Sequence, residues 1–132
     1  MYKRHLTGKQ GEDEAVKYLM EKNYKIIEKN FQCKQGEIDI IAKDSKTNEY
    51  VFIEVKTRTS FDHGKPIEAV TEHKQKHIVY ATKYYIYINQ LENQYIRFDI
   101  ITIYQNKLCH YKNCEFKVKM YWQKYHNVWD YY

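Results

Sequence analysis

The sequence predicts an α/β fold, a small mixed β-sheet flanked by helices in the order α-β-β-β-α-β. Three observations carry this expectation. Four strand-like runs are interrupted by two helical stretches, one leading the chain and one between the third and fourth strands. The last of these strands is apolar on both faces, as a central strand is. Strand, long helix and strand in succession form a crossover unit, which makes the two strands it joins parallel. With 132 residues, the chain has the length of one domain.

Each element has its own signal. Residues 7–23 read as a helix, with Thr7 as N-cap, Asn23 as stop and Glu and Lys between them. Strand runs follow at 24–30, 37–43 and 50–58. The polar stretch 44–49 separates the last two as a hairpin loop does. Pro66 suits the first position of a second helix, which runs to about residue 88. Residues 95–104 are the fourth strand. We read residues 1–119 as the domain and 120–132 as an aromatic-rich C-terminal extension, part of the same domain or a dimer contact.

Composition excludes several classes. Hydrophobic residues at 43% and charged residues at 30% are those of an ordinary globular chain, not a disordered tail or a collagen-like repeat. No apolar run approaches the ~20 residues needed to cross a bilayer. Met1 to His5 leads into polar helix sequence with no apolar segment of signal-peptide kind. Three cysteines (Cys33, Cys109, Cys114) are too few for a disulfide scaffold. The expectation is a soluble, cytoplasmic domain with no membrane partner. The net charge of +5 suits an anionic partner such as nucleic acid. Since 19 of the 22 basic residues are lysine and Ile, Asn and Tyr abound, an A+T-rich genome explains the charge equally well.

The informative residues are acids on faces that should be apolar. Ala15, Val16 and Leu19 form the inward stripe of the first helix, and Glu12 precedes them by three, four and seven residues, on the same stripe. It either turns inward, which is costly without a partner or a metal, or sits at the helix margin and favours the N-terminal dipole. In the hairpin, alternation groups Ile38, Ile40 and Ala42 on one face and Glu37, Asp39 and Ile41 on the other. Val51, Ile53 and Val55 similarly oppose Phe52, Glu54 and Lys56. If Lys43 and Tyr50 close the hairpin, Asp39 lies across from Glu54. Directly opposed Cβ atoms are roughly 4.5–5.5 Å apart, where like charges destabilise the pair. A divalent cation between the two carboxylates is the simplest remedy, and without it at least one pKa should rise. Lys56 points into the same site. A register shifted by two residues would instead leave these charges on a partly exposed face.

An acid on a leading helix, an acid on one hairpin strand and Glu-x-Lys on the next resembles the PD-(D/E)xK nuclease superfamily, in an arrangement similar to archaeal Holliday-junction resolvases. More closely, the chain resembles the uncharacterised YraN-like bacterial family. The matching stretches are Gly8-Lys9-Gln10-Gly11-Glu12-Asp13-Glu14-Ala15, Gly36-Glu37-Ile38-Asp39-Ile40-Ile41-Ala42, Val51-Phe52-Ile53-Glu54-Val55-Lys56-Thr57-Arg58 and Arg97-Phe98-Asp99-Ile100-Ile101. The resemblance spans roughly residues 8–104 and implies a restriction-endonuclease-like core. It implies Asp39, Glu54 and the backbone carbonyl of Val55 as metal ligands, with Glu12 helping from the helix side. It also implies that Lys56 orients or helps deprotonate an attacking water. The ion would be Mg²⁺ (or Mn²⁺), and the reaction phosphodiester hydrolysis in DNA, more readily than RNA, on branched or single-stranded structures. The superfamily's Pro-Asp is here Ile38-Asp39. The alternative is a catalytically silent module of the same fold that binds nucleic acid or a protein. A junction-cutting role would require a homodimer.

Other candidates are weaker. Arg58, Lys65 and Lys74 could contact a nucleic-acid backbone, although Lys74 also suits a snorkelling role beside Val70, His77, Ile78 and Ala81. Asp99 is expected to be structural. Cys109, His110 and Cys114, with Cys33 as a fourth ligand, invite a zinc reading that lacks paired Cys-x-x-Cys spacing, and small buried cysteines are the better expectation. Trp122, Tyr125, Trp129 and Tyr132 fall on one face of a helix, for packing or for stacking on bases.

Overall fold

The computed structural model describes residues 8–58 and 69–116. Its elements are α1 (Gly8–Glu21), β1 (Tyr24–Cys33), β2 (Gly36–Asp44), β3 (Tyr50–Arg58), α2 (Glu72–Ile88), β4 (Ile96–Tyr104) and β5 (Lys107–Tyr111). The five strands form one sheet in the order β1-β2-β3-β4-β5. β1/β2, β2/β3 and β4/β5 are antiparallel, and β3/β4 are parallel, as the crossover through α2 requires. The α/β class, the mixed sheet and the order of the first six elements are as expected. No described helix is long and apolar enough to cross a membrane.

The sheet is covered on both faces. α1 packs Ala15 and Leu19 against Ile40, Ala42, Val51, Ile53 and Ile101. On the other face Ile78, Val79, Ala81, Tyr85 and Ile86 of α2 cover Ile41, Phe52, Phe98 and Ile100. Each fully buried Ile, Leu or Phe contributes about 1.5–3 kcal/mol, so alternation along β2 and β3 determines which helix each strand face meets. Ile38 departs from strict alternation: it packs with the α2-side cluster, not with Ile40. It lies on the half of β2 that pairs with β1, beyond the end of the ladder with β3.

Three elements differ from the sequence reading. α2 begins at Glu72, not near Pro66, which lies outside the described residues. Thr71 is its N-cap and accepts a hydrogen bond from the Lys74 N–H at 3.1 Å. β1 extends to Cys33, carried past residue 30 by its ladder with β2. β5 was not expected. It returns antiparallel to β4 through Gln105 and Asn106, with Gln105 at positive φ. The 120–132 extension, with Trp122, Tyr125, Trp129 and Tyr132, lies outside the described residues.

One polar network is buried at the Tyr50/Ile96 end of the sheet. Arg97 reaches Asp44 at 2.8 Å, Glu49 at 2.9 Å, Asp99 at 3.0 and 3.1 Å, and the Tyr24 hydroxyl at 2.6 Å. Asp99 is fully buried and also takes His110 Nε2 at 2.7 Å and the Asn113 N–H at 2.9 Å. Burial works against the Asp99 charge, but His110, Arg97 and the Asn113 amide outweigh it and hold the carboxyl below its usual range. Asp99 is therefore structural, as expected. His110 has both ring nitrogens engaged, the second by the Tyr18 hydroxyl at 3.0 Å. This removes the zinc reading: among the described residues no three His, Cys, Asp or Glu side chains gather to hold a metal. Cys33, Cys109 and Cys114 are half-buried, short of the full burial expected.

Candidate functional site

The site lies where β2 and β3 part. Their ladder pairs Lys43 with Tyr50, Ala42 with Val51, Ile41 with Phe52 and Ile40 with Ile53, the register in which Asp39 falls opposite Glu54. There the backbone ladder stops. The Asp39 carboxylate replaces it, with Oδ2 accepting the Val55 N–H at 2.8 Å. One side chain thereby caps the end of the ladder and is held beside Glu54.

Beyond that point a cleft of about 440 Å³ opens, lined by Glu12, Glu37, Asp39, Glu54, Val55, Lys56 and Lys74 among others. It lies toward the carboxyl end of β3, where open α/β sheets generally bind ligands. α1 contributes Glu12 to the wall, β2 Glu37 and Asp39, β3 Glu54 to Thr57, and α2 Lys74. Glu12, Asp39, Glu54, Val55 and Lys56, the residues that the nuclease resemblance implies as catalytic or metal-binding, all line this one cleft. Gly11, beside Glu12, lets α1 approach β3 closely: a Cβ there would run into Thr57 Cγ2.

The electrostatics are unbalanced. Glu54 is buried, at 8% exposure, and its Oε1 is buried without a hydrogen-bond partner. Burial, then the charge and contact of Asp39, push its pKa up to about 9. Glu12 is half-buried and also raised, by burial first and then by Asp39, with the Asn30 side chain opposing. Lys74 Nζ lies 3.3 Å from Glu37 Oε1 and 3.9 Å from Glu54 Oε2. Burial disfavours its charge, but Glu54 and Glu37 prevail and raise its pKa. Lys74 is thus turned toward the acids and is not a snorkelling surface residue. Glu37 was the acid the sequence reading passed over. Alternation puts it on Asp39's face, but only α2 lying across that face brings Lys74 to it.

The other candidates fare differently. Arg58 is half-buried at the end of β3 and is not among the cleft-lining residues. Lys65 lies outside the described residues. Glu12, Asp39 and Glu54 share the cleft without closing into a three-carboxylate cage.

Fold and cleft together define a small α/β domain with an acid-and-lysine site at the parting of two antiparallel strands. The chain belongs to the uncharacterised protein family UPF0102, whose sequence profile matches residues 11–103, and this is the YraN-like family of the sequence reading. A UPF0102 protein of Caldicellulosiruptor saccharolyticus is 44% identical over 106 residues, covering 80% of this chain and 87% of its own. One from Caldanaerobacter subterraneus subsp. tengcongensis is 52% identical over 100 residues, or 76% and 80% of the two chains. A Clostridium perfringens relative is 54% identical over 97 residues, or 73% and 77%.

Proposed function

We propose that the cleft is the active site of a Mg²⁺-dependent nuclease that hydrolyses phosphodiester bonds in DNA, with branched or single-stranded structures as the first substrates to try. One observation carries the reading: four side chains chosen from sequence context alone, Glu12, Asp39, Glu54 and Lys56, line a single cleft.

The residues present suit a hard divalent cation. The donor set is all oxygen, which suits Mg²⁺, and the buried, unpartnered Glu54 Oε1 is an atom in want of a cation. Asp39, Glu54 and the Val55 carbonyl would hold the ion, with Glu12 acting from the opposite wall. When bound, Mg²⁺ lowers the pKa of a coordinated water and neutralises charge on the phosphate.

The chain's own groups do the rest. Asp39, tied to the Val55 N–H, keeps its free oxygen in one orientation. Lys56, exposed on the cleft wall, orients the attacking water and sets positive charge where negative charge accumulates. Lys74, paired to Glu37 and Glu54, is placed to exchange those acids for a substrate phosphate. Arg58 and Lys65 flank the end of β3 in sequence and would contact the nucleic-acid backbone.

Lys74 also favours a second reading. It already balances part of the acid charge, which a catalytically silent module binding nucleic acid or protein would require. Cleavage assays separate the two. Wild type, Glu54→Ala and Lys56→Ala are compared on linear duplex, single-stranded and four-way-junction DNA with Mg²⁺, Mn²⁺ or EDTA. Metal-dependent cleavage lost in both variants supports the nuclease. No wild-type cleavage, or equal cleavage by the variants, overturns it and leaves the silent module.

A further inference from the structure

A second cluster of chemistry-bearing groups lies on α2, built from nitrogen and not oxygen. His73 and His77 are four residues apart, one helical turn, and therefore share a face. Their Nε2 atoms are 3.1 Å apart, with ring centroids at 4.4 Å. His77 Nδ1 lies 2.7 Å from the carbonyl oxygen of Gln35, in the β1–β2 turn. A carbonyl can only accept, so Nδ1 carries the proton and, in the neutral ring, Nε2 keeps its lone pair. That lone pair points at His73 Nε2. His73 is exposed, so its own proton can move to Nδ1 and face water.

We propose that His73 and His77 form a chelating site for a late first-row divalent cation, Zn²⁺ foremost. The bite is right. With Zn–N bonds of about 2.0–2.1 Å, two cis ligands stand ~3.3 Å apart at a tetrahedral angle and ~2.9 Å at a right angle, and 3.1 Å lies between. Imidazole ligands select Zn²⁺, Ni²⁺ and Cu²⁺ over Mg²⁺, so this donor set and the oxygen cleft take different ions. The Gln35 carbonyl supplies the outer hydrogen bond that fixes the tautomer of a ligating histidine. Among the described residues no third His, Cys, Asp or Glu joins them.

The turn that carries Gln35 is built for this approach. A Cβ on Gly36 would sit 2.7 Å from the His77 carbonyl oxygen, so only glycine lets the turn seat against α2 here. An ion on His77 would reinforce that seat by polarising the imidazole that holds it.

The test is a Zn²⁺ titration of the full chain, followed by the ¹⁵N shifts of the histidine rings and by calorimetry. Wild type is compared with His73→Gln and Glu54→Gln. His73 is exposed, so its replacement leaves the His77–Gln35 tie in place, and circular dichroism verifies the fold. The expected result is a saturable event that shifts Nε2 of both His73 and His77. It should weaken at least about tenfold in His73→Gln and be unchanged in Glu54→Gln. Unmoved His73 and His77 nitrogens, equal affinity in His73→Gln, or loss in Glu54→Gln would each overturn the assignment. None of these outcomes bears on DNA cleavage, so this site and the nuclease reading stand or fall separately.

Discussion

Replacing Glu54 by Gln should stabilise the ion-free protein at neutral pH, the reverse of what removing a buried hydrogen-bonding group usually does. The magnitude follows from the raised carboxyl. The unfolded chain releases this proton near 4.5, whereas the folded chain holds it to about 9. Between those values the folded state binds one more proton than the unfolded state, so stability falls with pH by about 1.4 kcal/mol per unit. The contribution is complete below pH 4.5 and is lost progressively up to about 9. From pH 5 to 7 wild type should lose about 3 kcal/mol through this group, and Glu54→Gln should not. Lys74 loses no charge pairing in the variant, because Glu54 still holds its proton over this range, and its pairing to Glu37 at 3.3 Å remains. Urea denaturation in EDTA at pH 5, 7 and 8 measures the difference directly. The variant's advantage should grow with pH and reach about 10 °C in melting temperature at neutral pH. Mg²⁺ should then raise the wild-type midpoint at pH 8 and leave the variant unmoved. A variant less stable than wild type at pH 8, or a gap that does not widen between pH 5 and 8, would refute the reasoning.

Other outcomes can be checked on the same instruments. Arg97→Met leaves Asp44 and Asp99 buried without their cation and should cost about 3–5 kcal/mol in urea denaturation. Because Asp99 is held below the usual carboxylate range, the wild-type network's contribution is present at neutral pH and fades as pH falls through and below about 4, so the two proteins should converge in acid. Gly11→Ala should lose about 1–3 kcal/mol by crowding Thr57, although alanine favours a helix by about 1 kcal/mol. Adding Thr57→Ser removes the offending methyl and should restore the gain. Stabilisation by Gly11→Ala alone would show that the approach of α1 to β3 is looser than described.

What the sequence could reveal depended on distance along the chain. The Asp39–Glu54 pairing was legible because closing the hairpin at Lys43 and Tyr50 determines every pair below it. Glu12 was legible because helical spacing ties it to Ala15 and Leu19. Lys74 and Glu37 were harder, since nothing in their spacing says that α2 lies across the acid-bearing face. The start of α2 was misplaced because Pro66 drew attention from Thr71, whose hydroxyl could have been recognised as a cap. β5 hid behind a two-residue turn without glycine, Gln105-Asn106, and a run of mixed polarity. The Arg97 network joins β1, β2, the β2–β3 loop and β4. Its members share no local pattern, and tertiary packing alone assembles it.

The parting of β2 from β3 at Ile40 and Ile53 has a consequence for how this domain can evolve. The ladder between these two strands has ended before the acidic residues begin, β1 and β4 hold the strands from their other edges, and both apolar clusters close without the acids. Substitutions at Glu54, Lys56 or Glu12 therefore leave the architecture intact, and the lineage can retune or abandon its chemistry without first inventing a new scaffold. Asp39 is the exception, because its carboxylate also terminates the ladder at Val55. If the cleft is the active site proposed above, descendants that drop the reaction should shed the glutamates first and keep the aspartate longest, because only the aspartate also serves the chain.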